Sequence, residues 1–215
     1  MDLARHIELI RKMRASIVYW LGDNLYLNIT NKCSNRCYFC IRNFTNGIAG
    51  FKLKLDHEPN SKEVIRQLIN HINRKHWKEV VFCGFGEPTA NLECLLEVAK
   101  WISKYHVTPI RVDTNGHGYL LNPKREVVRE MHEAGVMRIS VSLNATSKEA
   151  YEKICRPKFK DAFEAALRFV EKAKKYFEVE VTAVKVPELD TEKFKQFAES
   201  LGVLWRLRKY IQPFY

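Results

Sequence analysis

A chain of 215 residues with 46% hydrophobic content is long and apolar enough to bury a core as one compact domain, which excludes a disordered or fibrous polypeptide. Charges within Met1-Asp2-Leu3-Ala4-Arg5-His6 interrupt any secretion signal and no apolar run reaches membrane-spanning length, so a soluble, cytosolic protein without a membrane partner is expected. A formal charge of +11 calls for an acidic partner without naming one.

In chain order, an amphipathic helix over 3–14 and a short apolar run, Ile17 to Leu21, form a lead-in over 1–22, and one domain over 23–215 follows. It reads as six strand-then-helix units. Strands are predicted over 24–30, 79–85, 109–115, 137–144, 178–186 and 204–210. Helices are predicted over 61–75, 92–104, 123–134, 147–154 continuing after Pro157 to 176, and 192–201. Asn60 with Glu63 and Thr146 with Glu149 fit the capping box that satisfies free amides at a helix start.

Such alternation favours a parallel sheet with right-handed crossovers. A closed eight-stranded barrel needs about 250 residues, so the expected fold class is α/β, an incomplete (β/α)6 TIM-like barrel. A flat doubly wound sheet is the alternative. Polar residues favour the barrel, because Asn28 and Thr30, Asp113 and Asn115, and Ser140, Ser142 and Asn144 alternate with apolar neighbours. Residues two apart share a strand face, so these strands turn one face to helices and one polar face to a wet lumen.

The loop after the first long strand carries Cys33-Ser34-Asn35-Arg36-Cys37-Tyr38-Phe39-Cys40. This Cys-x3-Cys-x2-Cys spacing wraps three thiolates around one corner of a metal centre and supplies no fourth ligand nearby, which is the open position a catalytic site needs. Structural zinc sites arrive as paired ligands, and no second pair follows. Six cysteines in a reducing compartment read as metal ligands and core residues rather than disulfides. After the second strand, Cys83-Gly84-Phe85-Gly86-Glu87-Pro88-Thr89 has glycines that permit close backbone approach and a proline that sets the exit. The third ends Asp113-Thr114-Asn115-Gly116, also an ordinary turn sequence.

Cysteine spacing with Phe39 before the last cysteine resembles the radical S-adenosylmethionine (radical SAM) superfamily, in particular its short TatD-linked group, and the resemblance runs in order through nearly the whole chain. It implies that Cys33, Cys37 and Cys40 hold a 4Fe-4S cluster whose fourth iron is chelated by SAM. The reduced cluster then cleaves SAM to methionine and a 5′-deoxyadenosyl radical, which abstracts hydrogen from a substrate the sequence does not identify. Oxygen sensitivity follows. By the same resemblance, Gly84, Gly86 and Glu87 match a Gly-Gly-Glu-Pro segment holding the amino group of SAM through backbone oxygens, although Phe85 replaces the first glycine. Asp113 and Asn115 are expected near the ribose or methionine moiety, Ser142 and Asn144 at polar SAM contacts, and Phe39 against adenine or in the core.

Cys83 and Cys94 read as core residues, whereas Cys155 is placed near the upper rim, packed or meeting substrate. Arg206 and Arg208 point the same way, either to clamp a carboxylate or phosphate or to guard an edge strand. Basic runs at Arg11-Lys12-Met13-Arg14 and Lys172-Ala173-Lys174-Lys175 read as solvated helix faces. An acidic electron donor such as a flavodoxin or ferredoxin is the expected partner, with a small molecule or a protein as substrate; no nucleic-acid module is recognisable. Other enzyme readings are a glycyl-radical-enzyme activase and a 7-carboxy-7-deazaguanine synthase-like enzyme. The rival from another class is a metal- or RNA-binding module.

Overall fold

The structure, a computed structural model, describes residues 15–211, so the expected helix over 3–14 and the basic run at Arg11 lie outside the described residues. The chain opens with a hairpin, β1 (Val18–Leu21) and β2 (Asn24–Leu27), turned at Gly22 with φ of 58°. A small hairpin of β3 (Gly47–Ile48) and β4 (Phe51–Lys52) precedes α1 (Ser61–Ile72) and β5 (Glu79–Phe82). There follow α2 (Leu92–Tyr105), β6 (Ile110–Thr114), α3 (Gly118–Leu121), α4 (Val127–Glu133) and β7 (Arg138–Ser142). The chain continues through α5 (Lys148–Cys155), α6 (Ala162–Ala173), β8 (Glu178–Val184), α7 (Thr191–Ser200) and β9 (Leu204–Arg208).

Seven strands make one sheet in the order β1-β2-β5-β6-β7-β8-β9. Pairings from β2 through β9 are parallel and only β1 runs antiparallel. Because β1 and β9 stand at the two ends of that order, the barrel is incomplete, as the six-unit reading expects. One expectation is corrected. The segment Ile17 to Leu21 is no lead-in but hydrogen-bonds to β2 as the edge of the main sheet, so the boundary drawn at residue 22 falls inside a hairpin.

Helices cover the outer face. In α1, Val64, Leu68 and Ile72 recur every fourth residue and are buried against the sheet. Asn60 accepts from the Glu63 amide at 3.0 Å, as its capping pattern predicts. At α5 the cap is Ser147, accepting from the Ala150 amide, rather than Thr146 with Glu149. Leu25, Leu27, Val80, Phe82, Val112, Ile139 and Val181 form the centre of the main core from the same outer face of the strands.

The inner face is polar, but ion pairs fill much of it. Glu79, 3% exposed, receives Arg111 at 2.9 Å and Arg138 at 3.0 Å. Arg206 grips Glu180 with two donors at 3.0 and 2.8 Å, and Ser140 donates to the same carboxylate. Charges buried on a sheet face are stable only when paired, and this pairing fills the lower lumen with matched charges.

Candidate metal centre and lumen site

The cysteine loop leaves β2 at the carboxyl end of the sheet, and its backbone is held from three sides. Arg42 Nη1 donates to the carbonyls of Asn31 and Phe85, both at 3.3 Å, and Nη2 to that of Asn35 at 3.2 Å. Glu58 accepts from Thr30 Oγ1 and from the Asn31 amide, while Asn43 donates to the carbonyls of Cys37 and Tyr38. On the far side the loop forms an antiparallel bridge, Asn35 to Pro157, with the Lys158 amide donating to the Ser34 carbonyl at 2.8 Å.

Cys33, Cys37 and Cys40 are all free thiols and partly exposed. The neighbouring Cys155 thiol draws the Cys37 pKa below that of an ordinary thiol against the effect of burial, helped by the charges of Arg208 and Arg42. Burial pushes Cys33 up to about 12, with the nearby Glu87 charge adding to it, whereas the Asn35 amide donates to its Sγ at 3.4 Å and opposes the shift. Cys40 is raised by burial against the pull of Arg42. Cations and N–H donors around clustered thiols favour thiolates, the form a metal takes. Among the described residues no three ligating side chains converge on a single ion. A cluster takes one thiolate per iron, so three separate free thiols on one loop fit its donor needs.

The loop after β5 packs directly under the cysteine loop. A Cβ on Gly86 would lie 2.3 Å from the Thr30 carbonyl oxygen and 2.7 Å from that of Lys32, and one on Gly84 would lie 2.0 Å from Asn28 Oδ1. Both glycines are thus demanded by contact between loops. The Glu87 amide donates to the Lys32 carbonyl at 2.7 Å. The Glu87 side chain is buried, accepting from Thr114 Oγ1 and the Asn115 amide at 2.6 Å and from Thr89 Oγ1 at 2.7 Å. Burial raises its pKa although those donors favour the carboxylate. Only its backbone is left to reach a ligand.

Asn115 is also turned from the lumen, donating to Ser34 Oγ at 2.9 Å and to Cys33 Sγ at 3.8 Å. From Ser34 a buried polar chain runs on. Ser34 Oγ lies 2.8 Å from His117 Nδ1, His117 Nε2 lies 3.0 Å from the Tyr151 hydroxyl, and Asn35 Nδ2 donates to that hydroxyl at 3.0 Å. Burial lowers His117 to about 4 and holds the ring neutral.

Asp113 faces the lumen, where Arg111 Nε lies 2.9 Å from its Oδ1 as an ion pair without hydrogen-bond alignment. Burial raises its pKa against Arg111, Arg208 and Arg206. Cys83 is not a core residue as expected but stands beside Asp113 and Arg208, its thiol pushed up by burial; Cys94 is buried in the core. Phe39 is buried among core side chains. Asn144 has a φ of 59° and spends its side chain on the Ser142 carbonyl and the Val184 amide.

Two rim assignments are corrected. Cys155 is fully buried beneath the cysteine loop and cannot meet a substrate there. Arg206 is neutralised by Glu180. Arg208 differs: it donates to Ser142 Oγ at 3.2 Å and more weakly to Asn144 Oδ1 at 3.5 Å, its Nε is buried without a partner, and no carboxylate pairs with it among the described residues. His117 and Tyr151 escaped sequence reading because their partners lie on other elements, and Arg42 because its partners are backbone carbonyls, two of them in the adjoining cysteine loop.

The family model of the radical SAM superfamily matches residues 27–201. The chain is 32% identical over 153 residues to a probable GTP 3′,8-cyclase of Thermococcus kodakarensis, covering 71% of this chain and 44% of that protein. It is 26% identical over 197 residues to the GTP 3′,8-cyclase of Aliarcobacter butzleri, covering 90% of this chain and 57% of the relative. The chain spans about half the length of the curated relatives it matches. Among solved structures, methylornithine synthase (PylB) superposes with a TM-score of 0.60 at 18% identity, over 87% of this chain and 53% of the other. The hydrogenase maturase HydG superposes at 0.59 and 14%, over 89% and 43%. Both share the fold, a partial barrel, with this chain.

Proposed function

Because the chain belongs to the radical SAM superfamily, whose enzymes use a 4Fe-4S cluster and SAM, we propose that Cys33, Cys37 and Cys40 hold that cluster and that the lumen beneath holds SAM and a substrate. The observation that carries the reading is the juxtaposition of three free thiols with Arg208, which among the described residues has no salt-bridged carboxylate, at the same end of the sheet. When bound, the reduced cluster and SAM supply one-electron cleavage of the sulfonium and a radical able to take hydrogen from a C–H bond.

This chain's own residues do the holding and positioning. Arg42 and Glu58 fix the cysteine loop by its backbone, so the three sulfurs are presented from a braced turn. Asn115 and the Asn35 amide donate to Cys33, and the Cys155 thiol adjoins Cys37 and favours its charged form. Hydrogen bonds to ligand sulfur stabilise negative charge there. Glu87, by clasping Thr114 and Asn115, ties the Gly-Glu-Pro loop to β6 and leaves its backbone oxygens as contacts for an amino group. Arg208 is placed to receive a carboxylate or phosphate of whatever enters the lumen. Relatives named GTP 3′,8-cyclase act, by name, on a nucleotide, and an anionic substrate of that kind suits Arg208.

Anaerobic reconstitution tests the reading. The wild-type chain is expected to take up four irons and four sulfides and, once reduced with dithionite, to release 5′-deoxyadenosine from SAM, with GTP included in one arm as a trial substrate. Cys37→Ala is expected to lose both properties. Zinc in place of iron, or untouched SAM in an iron-loaded protein, sinks the proposal.

A further inference from the structure

A cavity of about 910 Å³ opens beside the cysteine loop, on the side where the loop meets the segment between α5 and α6. Its lining includes Cys33 together with Arg36, Arg156, Lys158 and Lys160, with Glu152 as the acid among them. All four cations are exposed. None has a carboxylate partner among the described residues; Arg156 instead lies 5.8 Å from the Tyr38 ring centroid. Neighbouring charges are spent differently, as in the pairs Lys148–Glu164 and Arg168–Asp161. Four unpaired cations ringed around a partly exposed cluster ligand make a local positive field on a chain already at +11.

The lumen face of the loop is committed to SAM and substrate in the reading above, on which this inference rests, so an electron must arrive by another face. Cys33 opens to the basic cavity, and its neighbours are anchored: the Arg36 amide donates to the Cys155 carbonyl at 2.9 Å, and Asn35 bridges Pro157. We propose that this cavity is the docking surface for an acidic one-electron carrier protein. One electron passes from the reduced carrier to the oxidised cluster; the carrier is oxidised by one equivalent and no bond or proton is exchanged at that step. Complementary charge steers such an encounter and makes it salt-dependent.

The test uses the cluster-loaded protein with a flavodoxin and, separately, a 2Fe-2S ferredoxin. Binding is measured by calorimetry at several salt concentrations, and cluster reduction by spin resonance. K158E/K160E and R36E are compared with K62E/R66E, a control on the exposed face of α1. The cavity variants are expected to bind the carrier at least tenfold more weakly, with a shallower salt dependence and slower reduction by carrier, while reduction by dithionite keeps the wild-type rate and the control behaves as wild type. Equal losses in the control, unchanged carrier affinity in the cavity variants, or an equal loss with dithionite overturns the proposal. So does RNA or GTP binding that the cavity variants abolish while carrier binding stays intact. A chain that takes up no iron overturns the radical SAM reading itself, an outcome visible before any carrier is added.

Discussion

Cys155, the last residue of α5, sits under the cysteine loop beside Cys37. Asn35 bridges Pro157 and the Tyr38 amide donates to the Ile154 carbonyl at 3.3 Å, which holds the end of α5 against the loop. Across that contact the Cys155 thiol lowers the Cys37 pKa, and Cys37 raises that of Cys155. A cysteine that the sequence placed near the rim instead adjoins one of the three sulfurs proposed to hold the cluster.

From that pairing, Cys155→Ala is expected to lower the cluster's midpoint potential, because the more negative, reduced form loses a donor at a ligand sulfur. A net hydrogen bond of about 1 kcal/mol corresponds to roughly 40 mV, since a tenfold change is about 1.4 kcal/mol or 59 mV for one electron. Spectroelectrochemical titration measures it. Cys155→Ser, which keeps a donor, is expected to recover part of the shift; an unmoved potential in an intact Cys155→Ala cluster disproves the coupling.

Gly86→Ala is expected to cost about 1 to 3 kcal/mol and to reduce iron uptake, because the added methyl meets backbone oxygens of Thr30 and Lys32 that cannot swing aside. Chemical denaturation and iron content check it. Wild-type values for both would mean that the two loops do not depend on their close contact.

At the opposite end of the lumen, Glu79→Ala leaves Arg138 with only Glu178 and Arg111 with only Asp113. Removing one member of a buried ion-pair network strands the rest, so a loss of about 3 kcal/mol in urea denaturation is expected. The cysteine loop, at the other end of the strands, should keep its iron stoichiometry. A loss under 1 kcal/mol would show that the lower lumen is wetter than its pairing implies.

His117 gives a pH dependence with a definite sign. Its folded pKa is lowered by burial to about 4 from 6.5, so between those values the unfolded chain binds a proton that the folded chain does not. The associated stability is complete above pH 6.5 and lost as pH falls towards 4, by up to about 3 kcal/mol. His117→Gln is expected to be less stable at pH 7, having lost its contacts to Ser34 and Tyr151, yet to show a shallower decline on acidification. Parallel pH profiles for the two proteins would contradict this assignment.

The cysteine motif, the six strand-helix units and the polar alternation on the strands were legible in the sequence because each is local. Cys33, Cys37 and Cys40 occupy one loop, and the two-residue repeat of Ser140 and Ser142 needs no knowledge of neighbours. Side chains that polar alternation sorts to one face, however, do not announce their partners. Arg206 and Arg208 look equivalent in the chain, yet Glu180, 26 residues away, neutralises one and leaves the other facing the lumen. Tertiary structure likewise turned the Glu87 side chain inward, set His117 against Ser34 across 83 residues, and brought Cys155 under Cys37. Chain order determines which residue types reach the open end of the sheet. Their ionic and hydrogen-bonding partners are chosen only when distant strands come into register, because those forces act across a few ångströms of space whatever the separation along the backbone.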